Sequence, residues 1–104
     1  MAIAEITVIP VGTESTSLSA YVAGIHRYLE QESAGGRISF EMTAMSTIVE
    51  GELTDLLRVV QGMHEQPFTE GAHRVCTSIK LDDRRDKQGS IAQKLHSIAE
   101  RLNR

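Results

Sequence analysis

The stretch RISFEMTAMSTIVE, residues 37–50, determines the fold because it holds two strands in succession. Ile38, Phe40 and Met42 alternate with polar side chains, which is the two-residue period of a strand with one covered face. Residues 46–50 are β-branched and apolar enough for a second short strand that turns back on the first. This hairpin lies near the middle of the chain, and the elements on either side of it settle the architecture.

A strand and a helix precede the hairpin. Residues 2–11 are rich in β-branched side chains and stop at Pro10 and Gly12, which indicates a first strand. Apolar side chains then recur at helical spacing as far as Gly35-Gly36, and they are Leu18, Tyr21, Val22, Ile25 and Leu29. This spacing predicts an amphipathic helix that packs on the sheet.

Two helices and a strand follow the hairpin. A second amphipathic helix is expected to begin near Gly51 and to end before Pro67, with an apolar stripe of Leu53, Leu56, Leu57, Val60 and Met63. Residues 73–81 alternate again, with Val75, Thr77, Ile79 and Leu81 on one face and Arg74, Cys76, Ser78 and Lys80 on the other. After the charged segment at residues 82–89, a last helix is outlined by Ile91, Leu95, Ile98 and Leu102.

The order βαββαβ predicts an α+β, ferredoxin-like domain over residues 1–104, with an additional C-terminal helix. Its four-stranded antiparallel sheet has the expected strand order 4-1-3-2, with two helices on one face. We expect the third helix to cover only part of the other face. Because an open sheet face and free edge strands favour self-association, the chain is predicted to form a homodimer or homotetramer.

Composition excludes several classes of function. The formal net charge is −3 and aromatic residues make up only 4% of the chain, so binding to nucleic acid is not expected. Apolar runs are a few residues long, which predicts no membrane span. Cys76 is the only cysteine and no apolar leader precedes the first strand, which favours a reducing, cytoplasmic setting.

The candidate metal ligands and nucleophiles are isolated in the sequence. The four histidines show no ligand-pair spacing and a single cysteine cannot supply paired thiolates, so no metal site is predicted. A structural role for Cys76 is favoured over a catalytic Cys–His pair. Asp82 to Lys87 is interpreted as a solvated segment whose charges neutralise one another.

Three segments resemble the small thiamine-binding, ferredoxin-like proteins: TSLSAYVA at residues 16–23, MSTIVEGEL at residues 45–53, and Arg74-Val75 together with LDDRR at residues 81–85. The resemblance covers nearly the whole chain. It implies a homo-oligomer that holds thiamine or its hydroxymethylpyrimidine portion, with no catalytic activity and no other cofactor. The chain departs from the pattern at Ser46, where glycine is expected, and at Thr43-Ala44, where Thr-Pro is common.

The residue chemistry is compatible with such a ligand, because an aminopyrimidine has apolar faces and a rim of hydrogen-bonding groups. Tyr21 and Met45 are expected to form the wall of the pocket. Ser17 and Thr47 are expected to exchange hydrogen bonds with ring nitrogens, and Glu50 to accept from the exocyclic amine. Glu50 falls toward the opposite edge of the sheet from the others, so either the ligand runs along the third strand or a neighbouring subunit completes the pocket.

Simpler roles and other functions stay open for these residues. Ser15 to Ser17 also suit a helix N-cap, and Glu50 also suits the positive end of the second helix. A small enzyme that uses Glu50 or His73 as acid or base is one alternative to ligand binding. A homo-oligomeric regulatory or assembly subunit without a ligand is the other.

Overall fold

The computed structural model describes residues 1–12, 18–86 and 91–102 and contains four strands and three helices. In chain order they are β1 (Ala2–Pro10), α1 (Ser19–Ala34), β2 (Ile38–Met42), β3 (Thr47–Gly51), α2 (Leu53–Thr69), β4 (Val75–Asp83) and α3 (Ile91–Leu102). The predicted order of elements is therefore confirmed. Within these described ranges, no helix is long and apolar enough to cross a lipid bilayer.

The four strands form one antiparallel sheet in the order β2-β3-β1-β4, as predicted. β4 pairs with β1 along its whole length, from Ala2 to Pro10. In contrast, β3 pairs with β1 only over Ala2 to Ile6. The last four residues of β1 therefore extend beyond β3, and a gap opens between them and the β2–β3 hairpin.

The hydrophobic core lies between one face of the sheet and the two helices α1 and α2. The small side chains of Ala2 and Ala4 allow the helices to approach β1 closely, and Ile6 fills the middle of the layer. The helices contribute Ile25, Leu29, Leu56, Val59 and Met63, all of which are buried. Burial of apolar side chains of this kind supplies most of the stabilisation of a small domain, at about 1.5–3 kcal/mol each.

Helix α2 differs from the prediction in two respects, the residue at which it ends and the apolar side chains that it buries. It continues through Pro67 to Thr69 instead of ending before the proline. A proline this near the end of a helix removes only one backbone hydrogen bond, and its ring is fully buried. The apolar stripe also passes through Val59, which the sequence analysis left out, whereas the predicted Leu57 is half-exposed.

The edge strand β4 and the helix α3 are less covered than their patterns indicated. Ile79 and Leu81 lie opposite the core residues Ile6 and Ala4, so the predicted face is correct, yet both are half-exposed. Helix α3 forms as expected, but it does not pack over the sheet, and Leu95 and Leu102 face solvent. The longest dimension of the molecule is consequently 50 Å, against 28 Å and 20 Å for the other two.

Candidate functional site

A pocket of about 320 Å³ occupies the gap between the end of β1 and the β2–β3 hairpin. The first turns of α1 and Met63 of α2 line the pocket as well. We call it the hairpin pocket, and its described lining residues are Ile6 to Ile9, Leu18, Val22, Ile25, Met42 to Thr47 and Met63. The pocket exists because β3 is shorter than β1, so no strand fills the space beside residues 7–10.

The hairpin turn that forms the pocket mouth is held by Thr43. The Thr43 hydroxyl donates to the Ser46 carbonyl at 2.9 Å and accepts from the backbone N–H groups of Ser46 at 3.0 Å and Met45 at 3.3 Å. The Thr43 N–H also donates to the Ser46 carbonyl at 2.8 Å. Among the described residues only glycines have positive φ, so Ser46 adopts the turn without backbone strain, although glycine is expected at this position.

Two predicted ligand-binding residues, Met45 and Thr47, come together in this pocket. Met45 stands at the mouth with 84% of its surface exposed, while Thr47 lies inside with 6% exposed. The turn between them positions a flexible thioether above a buried hydroxyl. Such an arrangement can cover an apolar ring face and bond to the ring edge at the same time.

The other predicted residues lie elsewhere. Tyr21 is half-buried on α1 but does not line the pocket. Val22 and Ile25 of α1 line it, together with Leu18 at the N-cap, and the Tyr21 side chain is rotated by about 100° around the helix axis from that of Val22. Glu50 faces the open side of the sheet, because successive side chains of β3 alternate, and it accepts a hydrogen bond from Ser39 at 2.8 Å. Ser17 lies outside the described residues.

The wall of the pocket is supported from behind by His26. Its Nδ1 atom lies 2.9 Å from the Met42 sulfur, and its ring meets the Phe40 ring edge-on at 5.6 Å. The Nε2 atom of the same ring lies 2.5 Å from a carboxylate oxygen of Glu30, one turn along α1. These contacts fix the position of Met42, which is a pocket residue that the sequence analysis assigned only to a strand face.

The described lining of the pocket carries no ionisable side chain. Its polar groups are hydroxyls, contributed by Thr7, Thr43, Ser46 and Thr47, and the remainder is aliphatic or thioether. The apolar part of this lining was not predicted from the sequence, although the helical repeat of Leu18, Val22 and Ile25 carried the signal. A pocket of this composition suits a flat, uncharged ring with hydrogen-bonding groups on its edge.

The opposite edge of the molecule holds a wider, charged depression lined by Met1, Glu52 to Thr54 and Asp83 to Arg85. Arg84 donates two hydrogen bonds to Asp86 at 2.6 and 3.0 Å, and this partner raises the pKa of the guanidinium. Arg85 donates in the same way to Asp83. Arg84 and Arg85 are therefore paired within the segment as predicted, whereas Asp82 pairs with Lys94 of α3, outside it.

The other candidate chemical groups are dispersed over the molecule. His73 and Cys76 are exposed at the start of β4, and neither lines the hairpin pocket. Over residues 1–12, 18–86 and 91–102 no cluster of three His, Cys, Asp or Glu side chains has the geometry to hold a metal ion. The hairpin pocket is therefore the site on which a functional interpretation rests.

Comparison with known proteins places this chain in a family. The chain is 50% identical over 102 residues to the UPF0045 protein YqgV of Bacillus subtilis, covering 98% of each chain. The solved structure of the hypothetical protein MJ1052 from Methanocaldococcus jannaschii superposes with a TM-score of 0.81 at 31% identity, over 95% of this chain and 96% of that one. A Thermotoga maritima protein, named as a candidate for thiamine biosynthesis or salvage, shares the fold with a TM-score of 0.69 at 22% identity, over 93% and 97% of the two chains. The family described as thiamine-binding protein matches residues 4–99, and the chain belongs to that family.

Proposed function

We propose that the protein binds thiamine or its hydroxymethylpyrimidine portion in the hairpin pocket and releases it unchanged. The observation that carries this proposal is the pocket itself, an uncharged cavity of about 320 Å³ with hydroxyls at its edge, in a chain of the thiamine-binding protein family. The aminopyrimidine enters with its faces against the apolar walls. Its ring nitrogens and exocyclic amine meet the hydroxyl groups.

The walls and the rim of the pocket match different parts of this ligand. Met42, Met63 and Ile6 present apolar and polarisable surface, on which an aromatic ring packs favourably. Thr47 and Thr43 each offer one donor and two acceptor positions, so they can pair with either kind of group on the ring edge. Met45, which is exposed in the free protein, covers the outer face of the ring once the ligand is bound.

Binding without catalysis is supported by the chemistry of the lining. General acid–base catalysis mostly uses a carboxylate, imidazole, amine, thiol or phenol within hydrogen-bond reach of the reacting atom. The described lining residues supply none of these groups. Glu50 and His73, on which the enzyme alternative rests, lie outside the pocket, and Glu50 is engaged with Ser39.

The proposal includes the setting in which the protein works. It acts in the cytoplasm, where its exposed thiol at Cys76 stays reduced, and it acts as a homodimer or homotetramer. Support for self-association comes from the apolar side chains that the single chain leaves exposed on α2, β4 and α3.

Titration calorimetry with hydroxymethylpyrimidine and with thiamine tests the proposal. Both are expected to bind at one site per chain, whereas the hydroxyethylthiazole portion alone serves as the control ligand and is expected to give no heat of binding. Recovery of the ligand unchanged, checked by mass spectrometry after prolonged incubation, tests the absence of catalysis. Absence of binding by both pyrimidine compounds would refute the proposal, and a stable oligomer without ligand would then favour the assembly-subunit alternative.

A further inference from the structure

His26 of α1 lies behind the wall of the hairpin pocket and contacts three side chains. Its ring meets the Phe40 ring of β2 edge-on at 5.6 Å. Its Nδ1 atom lies 2.9 Å from the Met42 sulfur, and its Nε2 atom lies 2.5 Å from a carboxylate oxygen of Glu30. Met42 lines the pocket, whereas His26 does not. The imidazole ring therefore acts on the pocket through Met42.

Met42 occupies a position at which a small movement reaches the binding groups of the pocket. It is the last residue of β2 and pairs across the hairpin with Thr47, whose hydroxyl-bearing side chain is buried. Directly opposite residues of an antiparallel pair have Cβ atoms about 4.5–5.5 Å apart. The turn at the pocket mouth begins at the next residue, Thr43. The place of the Met42 thioether consequently shapes the surface beside the Thr47 hydroxyl.

The two nitrogen atoms of the His26 ring face two groups that accept hydrogen bonds and donate none. A thioether sulfur is a weak acceptor and an ionised carboxylate accepts only, so each contact requires an N–H on the ring. A neutral imidazole carries one N–H, and either tautomer leaves a nitrogen lone pair facing the sulfur or the carboxylate. The protonated ring carries two N–H groups and satisfies Met42 and Glu30 together. The arrangement is therefore complementary to the protonated ring.

Within the described residues, Glu30 is the charged group that faces His26. On β2, Glu41 alternates with the side chains that contact the ring, so it points to the open face of the sheet. On α2, Arg58 is paired with Glu32 at 2.6 Å. The carboxylate of Glu70, which follows α2, lies against Gly24, about 200° around α1 from His26. The balance between the two ring contacts is thus set by Glu30 and by the sulfur.

We propose that His26 is a positioning residue of the hairpin pocket, and that its protonated form holds Met42 where the ligand binds best. This role rests on the binding function proposed above, since it concerns the affinity of the same pocket. Histidine changes its charge between about pH 5 and 8. When the ring loses a proton, the remaining N–H stays with the carboxylate, because that hydrogen bond is the stronger one, and the contact with Met42 is lost. Affinity is accordingly highest where the ring is protonated and falls as the pH rises.

His64 of α2 makes a similar set of contacts outside the pocket and supplies the matched control. Its Nδ1 atom lies 2.7 Å from the Thr77 hydroxyl, and its ring meets the Phe68 ring at 5.6 Å. A hydroxyl either donates or accepts, so this contact is satisfied by the neutral and by the protonated ring. Neither His64 nor Thr77 lines the hairpin pocket. His64→Gln is therefore expected to leave ligand affinity unchanged at every pH.

Calorimetry with hydroxymethylpyrimidine at pH 6 and pH 8 tests the role of His26. Each variant is compared with the unchanged chain at the same pH, so any titration of the ligand itself cancels. His26→Gln is expected to bind about three- to tenfold more weakly than the unchanged chain at pH 6 and equally at pH 8. Glu30→Gln supplies an amide that can donate to the unprotonated Nε2 atom and leaves the Nδ1 proton for Met42. It is expected to bind equally at pH 6 and about three- to tenfold more tightly at pH 8.

The contact between His26 and Met42 is measured separately, without ligand, by NMR of the methionine methyl groups. The Met42 signal is expected to move between pH 6 and pH 8 in the unchanged chain and to stay in place in His26→Gln. Circular dichroism verifies that all variants are folded. A loss of affinity in His26→Gln that is equal at both pH values, which is the result of a merely structural role, would overturn the proposal. Unchanged affinity of His26→Gln at pH 6, or no gain for Glu30→Gln at pH 8, would overturn it as well.

The two measurements also separate the failure of this role from the failure of the binding function. No binding of hydroxymethylpyrimidine to the unchanged chain at either pH would refute the proposed function and the effect on affinity together. A Met42 signal that does not respond to pH would refute the contact with His26 alone, with ligand binding left intact.

Discussion

Thr47 is the most buried of the hydroxyl-bearing residues that line the hairpin pocket. Thr47→Val keeps the shape of the side chain and removes the hydroxyl. We expect it to weaken the binding of hydroxymethylpyrimidine by about 1–3 kcal/mol, because a polar group of the bound ring loses its partner in a water-poor site. Thr54→Val, the same change on α2 outside this pocket, is the matched control for calorimetry. Equal affinity of the Thr47 variant and the unchanged chain would remove Thr47 from the site.

Substitution of Met45 is expected to weaken ligand binding while it leaves the stability of the fold almost unchanged. The side chain is 84% exposed and buries little in the free protein, so Met45→Ala is expected to change the free energy of unfolding by less than about 0.5 kcal/mol. In contrast, ligand release is expected to become several-fold faster, since the thioether no longer covers the ring. Denaturant titration and stopped-flow release measure the two quantities. A release rate equal to that of the unchanged chain would show that Met45 does not contact the ligand.

The residues of the pocket were only partly predictable from the sequence. Met45 and Thr47 are close in sequence, and the short turn between β2 and β3 keeps them at the same end of the hairpin. Tyr21 and Glu50 depended on which way a helix or a strand faces, and one position along α1 or β3 changes that direction by about 100° or 180°. Ile6 and Met63, in contrast, are distant in sequence and meet in the pocket only through the packing of α2 on β1.

At the scale of the helices and strands, α1 and α2 approach closely where Tyr28 crosses Gly62. A Cβ atom at position 62 would overlap the hydroxyl and ring of Tyr28. Gly62→Ala gains up to about 1 kcal/mol of helix propensity, but overpacking typically costs about 1–3 kcal/mol. We therefore expect a net loss of about 1 kcal/mol in the free energy of unfolding, measured by denaturant titration. With Tyr28→Ala as background the obstacle is absent, and Gly62→Ala should then stabilise the protein.

The elements themselves were largely predictable because their patterns are local. Alternation in β2 and β4 and helical spacing in α1 and α3 identified all four elements, and the right-handed crossover rule gave the strand order. Burial was less predictable, since it depends on what lies across the sheet. Ile79 has the pattern of a covered strand residue, yet β4 is an edge strand and its flank stays open.

For the whole molecule, the hairpin pocket and the exposed apolar side chains of β4 and α3 lie in different places. The hairpin pocket lies on the β3 side of β1, whereas the half-exposed Ile79 and Leu81 of β4 lie on the other side. The radius of gyration is 15.2 Å, compared with about 13 Å for a typical domain of this length, because α3 projects from the body. The proposed ligand site and the exposed apolar side chains of β4 and α3 thus lie on different surfaces of the same chain.

This separation predicts that ligand binding does not change the strength of association. None of the described lining residues of the hairpin pocket belongs to β4 or to α3. A ligand that bound only the assembled form would, at about 100 times its dissociation constant, stabilise that form by about 2.7 kcal/mol per site. The subunit dissociation constant would then fall by about 100-fold for each site completed at the interface, which sedimentation equilibrium resolves easily. We expect equal constants with and without saturating thiamine, and a tighter complex in its presence would show that a neighbouring subunit completes the pocket.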